Sequence, residues 1–109
     1  MKLSDLRDAL LEVIPDVFHY EAWAKPDKYI VWAEDTESNA SYADNHKTDQ
    51  VIQGTIDYFT KTEFDNIVVL IQQKLNSIDV AWQLGSIQHE EDTGYIHYEW
   101  VFELEGELI

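Results

Sequence analysis

Two alternating segments near the C-terminus, joined by a short polar turn, constrain the fold more than any other feature of the sequence. The turn is Asp92-Thr93-Gly94, and glycine suits the left-handed last position of a three-residue hairpin loop. This loop predicts that Glu91 pairs with Tyr95. The two segments are therefore expected to form an antiparallel β-hairpin.

The predicted register gives one face of this hairpin a row of large apolar side chains. It places Trp82 opposite Leu104 and Leu84 opposite Phe102. The row, which we call the hydrophobic wall, consists of Ile96, Tyr98, Trp100, Phe102 and Leu104. A wall of this size must pack against a helix or a second sheet, because an exposed row of large apolar side chains is unstable in water.

Two amphipathic helices are predicted from apolar residues at helical spacing. The first has Ser4 as its N-cap and ends at Pro15. The second has Thr62 as its N-cap, with Asp65 completing a short-armed capping box. Its expected buried stripe is Phe64, Ile67, Val68, Ile71, Leu75 and Ile78. We expect this stripe to pack on the hydrophobic wall.

Three more strands are predicted at residues 17–23, 29–34 and 51–60. Between the last two, residues 35–50 are polar (DTESNASYADNHKTDQ) and are expected to form a long loop or a protruding hairpin. The order is then α-β-β-loop-β-α-β-β. The predicted fold class is α+β: one domain over residues 1–109, with a mostly antiparallel sheet of about five strands and two helices packed on one face.

Composition excludes several functional classes. The net charge of −15, from 22 acidic and 7 basic residues, repels nucleic acid phosphates and anionic membranes. No apolar stretch approaches the ~20 residues that span a bilayer, and no signal peptide is predicted. The chain has no cysteine, which excludes disulfides and thiolate ligands. The acidic surface either keeps the protein soluble, or lines a lumen through which DNA slides, or mimics DNA.

A metal site is the first candidate for chemistry. In the predicted register His89 lies opposite His97, with Glu91 and Glu99 on the same face, and two imidazoles with a carboxylate can bind zinc or nickel. The alternative is an exposed cross-strand pair on a solvent or subunit-contact face. Because the sequence places no third imidazole or cysteine there, we predict no metal site.

Carboxylates at a strand end are the second candidate. Glu34, Asp35 and Glu37 follow a predicted strand, where acid–base pairs often lie. No partner base, nucleophile or glycine-rich loop accompanies them, so we predict no catalytic residue, no cofactor and no enzymatic activity.

Contacts with other proteins are predicted for two surfaces. One is the outer face of the C-terminal hairpin, where Ile87, Tyr95 and Val101 are apolar enough to favour cover by a second subunit. The other is the polar segment, in which Tyr42 is the single large apolar residue. The predicted contact residues are Tyr42, Asp44, His46, Ile87, His89, Tyr95, His97 and Val101.

Five segments together carry a family resemblance over nearly the whole chain. They are KLSDLRDALLEVIPDVF, YIVWAED with the polar segment after it, VIQGTIDYFTK, FDNIVVLIQQKL and DTGYIHYEWVFELE. In their order and spacing the chain resembles the small tail-terminator or tail-completion proteins of long-tailed phages and prophages, a family also described as minor capsid or head–tail joining proteins.

The resemblance implies a structural protein of the virion neck or tail, made in the cytoplasm of the bacterial host. Such proteins assemble into a ring, usually a hexamer, which caps the tail tube and offers a docking surface to the head connector. The implied partners are other copies of the chain, a tail-tube protein and a head-completion protein. Two alternatives stay open: an acidic phage-encoded inhibitor or DNA mimic that binds a host protein, and a small enzyme.

Overall fold

The computed structural model describes residues 1–43 and 46–109, and in residues 39–43 and 46–49 it describes the backbone alone. The helices are α1 (Leu3–Leu11) and α2 (Asn66–Ser77). The strands are β1 (Val17–His19), β2 (Lys28–Ala43), β3 (His46–Thr60), β4 (Ala81–His89) and β5 (Ile96–Glu105). The helices and strands follow one another along the chain in the predicted order.

The five strands form one sheet in the order β1-β2-β3-β5-β4. Only β1 runs parallel to its neighbour, and the other three pairings are antiparallel. The predicted α+β class, with a mostly antiparallel five-stranded sheet, is confirmed. In the described part of the chain, neither helix has the length and apolar character needed to cross a bilayer.

The core lies between the two helices and one face of the sheet, which we call the helix face. In the hydrophobic wall, Trp100, Phe102 and Leu104 are fully buried, and Tyr98 is partly buried against them. The helices contribute Leu3, Leu6, Leu10, Ile71 and Leu75 to this core. The central strand β3 contributes Ile52, Ile56 and Tyr58. The predicted packing of the wall on α2 is therefore confirmed for Tyr98, Trp100, Phe102 and Leu104, whereas Ile96 and Phe64 lie outside the core.

Helix α2 begins three residues later than predicted. Asp65, not Thr62, is the N-cap, because its Oδ1 accepts the Ile67 backbone N–H at 2.9 Å. Phe64 precedes it with a left-handed φ of 55°, which a helix cannot contain, and its side chain is 92% exposed. The predicted place of Phe64 in the buried stripe is therefore wrong.

Asp65 is the centre of a buried polar network. Its Oδ2 accepts hydrogen bonds from the Tyr58 hydroxyl at 2.6 Å and the Thr60 hydroxyl at 2.7 Å, and the Lys28 Nζ lies 3.3 Å away. Burial alone would raise the pKa of Asp65, but these bonds and the Ile67 N–H outweigh burial and lower it. The carboxylate therefore ties α2 to β2 and β3.

Helix α1 begins two residues earlier than predicted. Its N-cap position is Lys2, whose backbone N–H donates to the Asp5 carboxylate at 2.8 Å, and Ser4 lies inside the helix. The start is displaced because the chain first pairs with the C-terminus, where Leu3 N–H donates to the Glu107 carbonyl at 3.3 Å. The helix ends at Leu11, before Pro15.

Strand β1 is shorter than the predicted strand at residues 17–23. It ends at His19 because Tyr20 has a left-handed φ of 71°. Phe18 is buried and Tyr20 is exposed, so the two do not share a face as predicted. The chain turns at this point and crosses the other side of the sheet.

Strands β2 and β3 are longer than predicted. Of the two predicted alternatives for residues 35–50, a long loop or a protruding hairpin, the structure has the hairpin. Strand β5 ends opposite Val51, whereas β2 and β3 stay paired to Ala43 and His46. We call residues 37–43 and 46–50 the hairpin arm. The molecule is accordingly elongated, with extents of 53 × 24 × 24 Å. The side chains of Tyr42 and His46, and the whole of Asp44, lie outside the described residues.

The β4–β5 hairpin has a register different from the prediction. Its loop is one residue longer, because the Glu90 N–H donates to the Tyr95 carbonyl at 2.8 Å, so that Glu91 is not paired with Tyr95. Gly94 has the expected left-handed conformation, with φ of 79°. Because of this slip of one residue, the β4 side chains near the loop lie on the face of the sheet opposite to the predicted one.

A bulge beyond Leu84 shifts the register a second time. Leu84 pairs with Trp100 on the helix face, whereas Ser86 pairs with Glu99 and Ile87 with Tyr98. The bulge adds one residue to β4. The β4 side chains on the helix face are therefore those of even-numbered residues before the bulge and odd-numbered residues after it. Trp82 and Leu84 therefore keep the predicted face, and Ile87 does not.

Candidate functional site on the outer face

The face of the sheet opposite the helices, which we call the outer face, has a small apolar cluster of its own. Phe18, Tyr29 and Tyr95 are buried there. Partly buried Ala22, Ala24, Val31 and Phe59 pack around them. The cover comes from residues 20–27, which cross this face between β1 and β2 and which we call the covering segment.

Aromatic rings and one hydroxyl hold the covering segment in place. Tyr29 stacks on Phe59 at 4.7 Å between centroids, and Tyr95 meets Tyr29 edge-on at 5.6 Å. The Tyr95 hydroxyl donates to the carbonyls of Pro26 at 2.6 Å and Lys25 at 3.0 Å. Burial raises the pKa of Tyr29 to about 12, so its phenol stays protonated. Tyr95, predicted as a partner contact, is covered by its own chain.

A cavity of about 380 Å³ opens beside this aromatic cluster. Tyr29, Phe59 and Tyr95 line its apolar part. Its polar lining consists of Glu21, Lys25, Asp57, Glu90, Thr93 and His97. An apolar hollow with a few converging polar groups is the usual form of a small binding site.

Asp57, His97 and Glu99 form a polar cluster at the margin of this cavity. The His97 Nε2 lies 2.7 Å from the Asp57 Oδ1, and the His97 ring stacks on Phe59 at 4.2 Å between centroids. Asp57 pairs directly with Glu99 across strands β3 and β5. Burial, followed by the charge and the hydrogen bond of Asp57, raises the pKa of Glu99. All three side chains are half-buried.

The structure separates the two histidines that the sequence placed together. His97 pairs with Gln88 on the outer face, whereas His89 pairs with Ile96 on the helix face. His89 and Ile87 instead line a separate hollow near the start of α2. The predicted His89/His97 pair is therefore wrong, because the longer loop slips the strands by one residue.

The remaining predicted contact residues on the hairpin are Ile87 and Val101. Ile87 is 59% exposed on the helix face, beyond the reach of the helices. Val101 is half-buried on the outer face, opposite Gln83 of β4. The structure therefore places Tyr95, His97 and Val101 on one face and Ile87 and His89 on the other.

The carboxylates at the end of the predicted second strand do not form an acid–base pair. Glu34 accepts hydrogen bonds from the Tyr20 hydroxyl and from the His19 Nε2, the latter at 2.9 Å. Burial alone would raise the pKa of Glu34, but these hydrogen bonds outweigh it and lower the pKa. Asp35 is exposed, and the pairing of β2 with β3 skips it between Glu34 and Thr36. Glu34 therefore has a structural role at the edge of the core.

Sequence reasoning missed the cluster formed by Asp57 with His97 and Glu99. The alternation in VIQGTIDYFTK does assign Asp57 to the face opposite Ile56 and Tyr58. Only the pairing of β3 with β5 reveals that this face meets His97 and Glu99. Strand pairing over such a separation leaves no signal in a single sequence.

The sequence matches no protein-family model and no curated protein. The resemblance to tail-completion proteins therefore rests on the order and spacing of the five segments. A functional proposal has to combine that resemblance with the surfaces of the molecule.

Proposed function

We propose that this chain is a structural protein of the neck or tail of a long-tailed phage or prophage, of the tail-terminator or tail-completion type. It forms a ring on the end of the tail tube and joins the tube to the head connector. The observation that carries the proposal is the hairpin arm. The arm extends past the last residue of β5 on a domain of 109 residues.

A projecting arm is suited to contact with a neighbouring molecule. Beyond Val51, strand β3 has no further partner in β5, so the arm leaves the sheet as a two-stranded ribbon. Isolated two-stranded ribbons are at best marginally stable in water, and they gain stability when another chain packs on them. An adjacent subunit or the tail-tube protein would supply that contact.

The sheet also has an open edge that suits a neighbour. Strand β4 is the last strand on its side, and its sequence AWQLGSIQH contains no Asp, Glu, Lys or Arg. Exposed edges usually carry charges that prevent pairing with other chains. An uncharged edge stands out on a chain of net charge −15. A head-to-tail contact between such an edge and an arm closes into a ring when the rotation between subunits permits.

The charge supports a ring through which DNA passes. A net charge of −15 on each subunit repels the phosphate backbone, so DNA does not adhere to the lumen. The same charge opposes self-association at low salt, where screening is weak. We therefore expect the isolated protein to form its ring only at high salt or on a tail tube.

The test is removal of the arm. Replacing residues 38–49 with a short Gly-Ser turn should leave the melting temperature nearly unchanged, because the arm lies outside the core. Phages that carry this variant should produce tails without a terminal ring, visible by electron microscopy. As a control, residues 91–94 are replaced by a Gly-Ser loop of the same length around a retained Gly94.

Normal tails made with the shortened protein would contradict the proposal. Binding of the intact protein to a host DNA-binding protein, together with failure to bind tail tubes at any salt concentration, would favour the acidic inhibitor instead. Sedimentation with purified tail tubes at low and high salt distinguishes the two.

A further inference from the structure

We infer that Asp57, His97 and Glu99 form a binding site for a divalent transition-metal cation, with zinc as the representative ion. One ligand atom from each side chain lies within 4.8 Å of the other two. The sequence by itself predicted no metal site, because it placed no further ligand beside the His89/His97 pair. In the structure, Asp57 of the neighbouring strand β3 takes the place of His89. This inference is independent of the proposed tail function.

The donor set matches the chemistry of such a cation. Zinc binds imidazole nitrogen and carboxylate oxygen at about 2.0–2.2 Å, and three protein ligands with one open position form a common arrangement. Magnesium and calcium prefer oxygen ligands alone, so His97 favours a transition metal over them. In a tetrahedral site with these bond lengths, two ligand atoms lie about 3.3 Å apart. The His97 Nε2 and the Asp57 Oδ1, now 2.7 Å apart, therefore have to separate slightly, and the atoms that start nearer the 4.8 Å limit have to close by up to about 1.5 Å.

The strand geometry holds the ligands in fixed positions. Asp57 and Glu99 are direct cross-strand partners in the middle of the sheet, between β3 and β5. The His97 imidazole is held by its stacking on Phe59, with 16° between the ring planes. Ligands on strands are held more precisely than ligands on loops, which favours binding by reducing the entropy lost.

The local charges also favour a cation. Asp57 and Glu99 place two carboxylates side by side, and like charges directly opposite each other in a sheet are destabilising. The His97 Nε2 and the Asp57 Oδ1 lie 2.7 Å apart, so a single metal ion can bind both atoms. A bound cation thus removes a repulsion that the folded protein otherwise contains.

The cavity beside the cluster gives the cation a route of entry. Asp57 and His97 line this cavity, and each side chain retains a small exposure, 18% and 17% respectively. Three protein ligands leave a fourth position for water or for a group from another molecule. A partner side chain that reaches into the cavity could therefore complete the site.

The test is titration of chelator-treated protein with zinc chloride, manganese chloride and magnesium chloride by isothermal titration calorimetry. We expect one zinc ion per chain, bound at least about tenfold more tightly than magnesium, and a rise in melting temperature because the ion binds the folded state. Absence of zinc binding to the wild-type protein overturns the inference. Equal affinity for zinc and magnesium also overturns it, because it would indicate a diffuse acidic surface.

Variants identify the ligands and separate binding from folding. Glu99→Gln and His97→Gln should each weaken zinc binding by at least about tenfold. The matched controls Glu91→Gln and His89→Gln make the same chemical changes on the same hairpin, and should leave binding within about twofold. Glu99→Gln removes a like-charge contact, so its metal-free melting temperature should not fall. Equal losses in the controls and the ligand variants would overturn the inference.

Discussion

The two faces of the sheet are formed by the same strands, yet they differ in what covers them. The helix face buries Ile56, Trp100 and Phe102 completely beneath two helices. The outer face places Asp57 and Glu99 in its middle and is covered by the covering segment at one end. One face is thus a continuous apolar core, and the other combines a small aromatic cluster with polar groups and a cavity.

This difference separates stability from binding in the molecule. Apolar burial on the helix face supplies most of the free energy of folding, since that term scales with the apolar area removed from water. The outer face can therefore hold half-buried charged groups without loss of the fold. The predictions below test this division, beginning with the change of largest expected effect.

Truncation of the central wall residue should have the largest effect. Trp100→Ala removes a fully buried side chain and its hydrogen bond to Gln72, and should lower the free energy of unfolding by about 3–5 kcal/mol. Urea denaturation measures the change. The matched control is Val101→Ala, one residue away on the outer face, where a loss of about 1 kcal/mol is expected. Equal losses would show that the helix face does not contribute more to the free energy of unfolding than the outer face.

Removal of the buried carboxylate should have the next largest effect. Asp65→Ala removes the N-cap of α2 and leaves Tyr58 and Thr60 without their acceptor, so we expect a loss of about 3 kcal/mol. Urea denaturation near neutral pH measures it. Asn66→Ala, one residue into the helix, is the control and should change stability by less than about 0.5 kcal/mol. A similar loss in both variants would show that the buried hydrogen bonds of Asp65 do not stabilise the fold.

The Asp65 carboxylate should also make stability depend on pH in a defined direction. Its pKa is lowered in the folded protein, so its contribution is fully present above the unfolded pKa near 4 and is lost as the pH falls through the folded pKa. The difference in stability between wild type and Asp65→Asn should therefore be constant above about pH 5 and shrink below pH 4. Denaturation curves at several pH values measure it, and a constant difference down to pH 2 would contradict the shift.

A smaller effect is expected on the outer face. Tyr95→Phe removes the hydroxyl that bonds the carbonyls of Lys25 and Pro26, and should lower stability by about 1.5 kcal/mol. Chymotrypsin should then cleave faster at Trp23, because the covering segment is released. Tyr98→Phe is the control on the helix face, since the Tyr98 hydroxyl has no hydrogen bond among the described residues. Unchanged cleavage in Tyr95→Phe would show that the rings alone hold the segment.

The smallest effect is expected at the hairpin loop. Gly94→Ala places a side chain at φ of 79° with open space around it, so backbone strain alone should lower stability by about 1 kcal/mol. Gly85→Ala, where an added Cβ meets ordinary contacts at 3.5 Å or more, is the control and should change stability less. Thermal melting of both variants makes the comparison.

Sequence periodicity predicted the helix face well. The alternation in β3 and β5 identified the buried residues Ile56, Trp100 and Phe102, since side chains of a strand alternate strictly between its two faces. The helical spacing in α2 identified Ile71 and Leu75 in the same way. The periodic pattern that marks the buried residues lies within each segment, so a single sequence is enough to identify them.

Register and element ends were predicted less well, because they depend on contacts between distant residues. Asp65 is the N-cap of α2 because Tyr58 and Thr60 bond its carboxylate, not because of a local pattern stronger than that of Thr62. The added loop residue before Tyr95 moved His89 away from His97. Such differences involve one hydrogen bond or one residue of slip, which local preferences do not resolve.

The sequence by itself determined the fold class, the order of the elements and the face that the helices cover. The tertiary structure decided where β2 and β3 end, how the covering segment crosses the outer face, and that Asp57 meets His97 and Glu99. The physical reason is that alternation and helical spacing are local properties of the chain. Pairing between strands far apart in sequence depends on the summed free energy of many contacts, which exists only in the folded molecule.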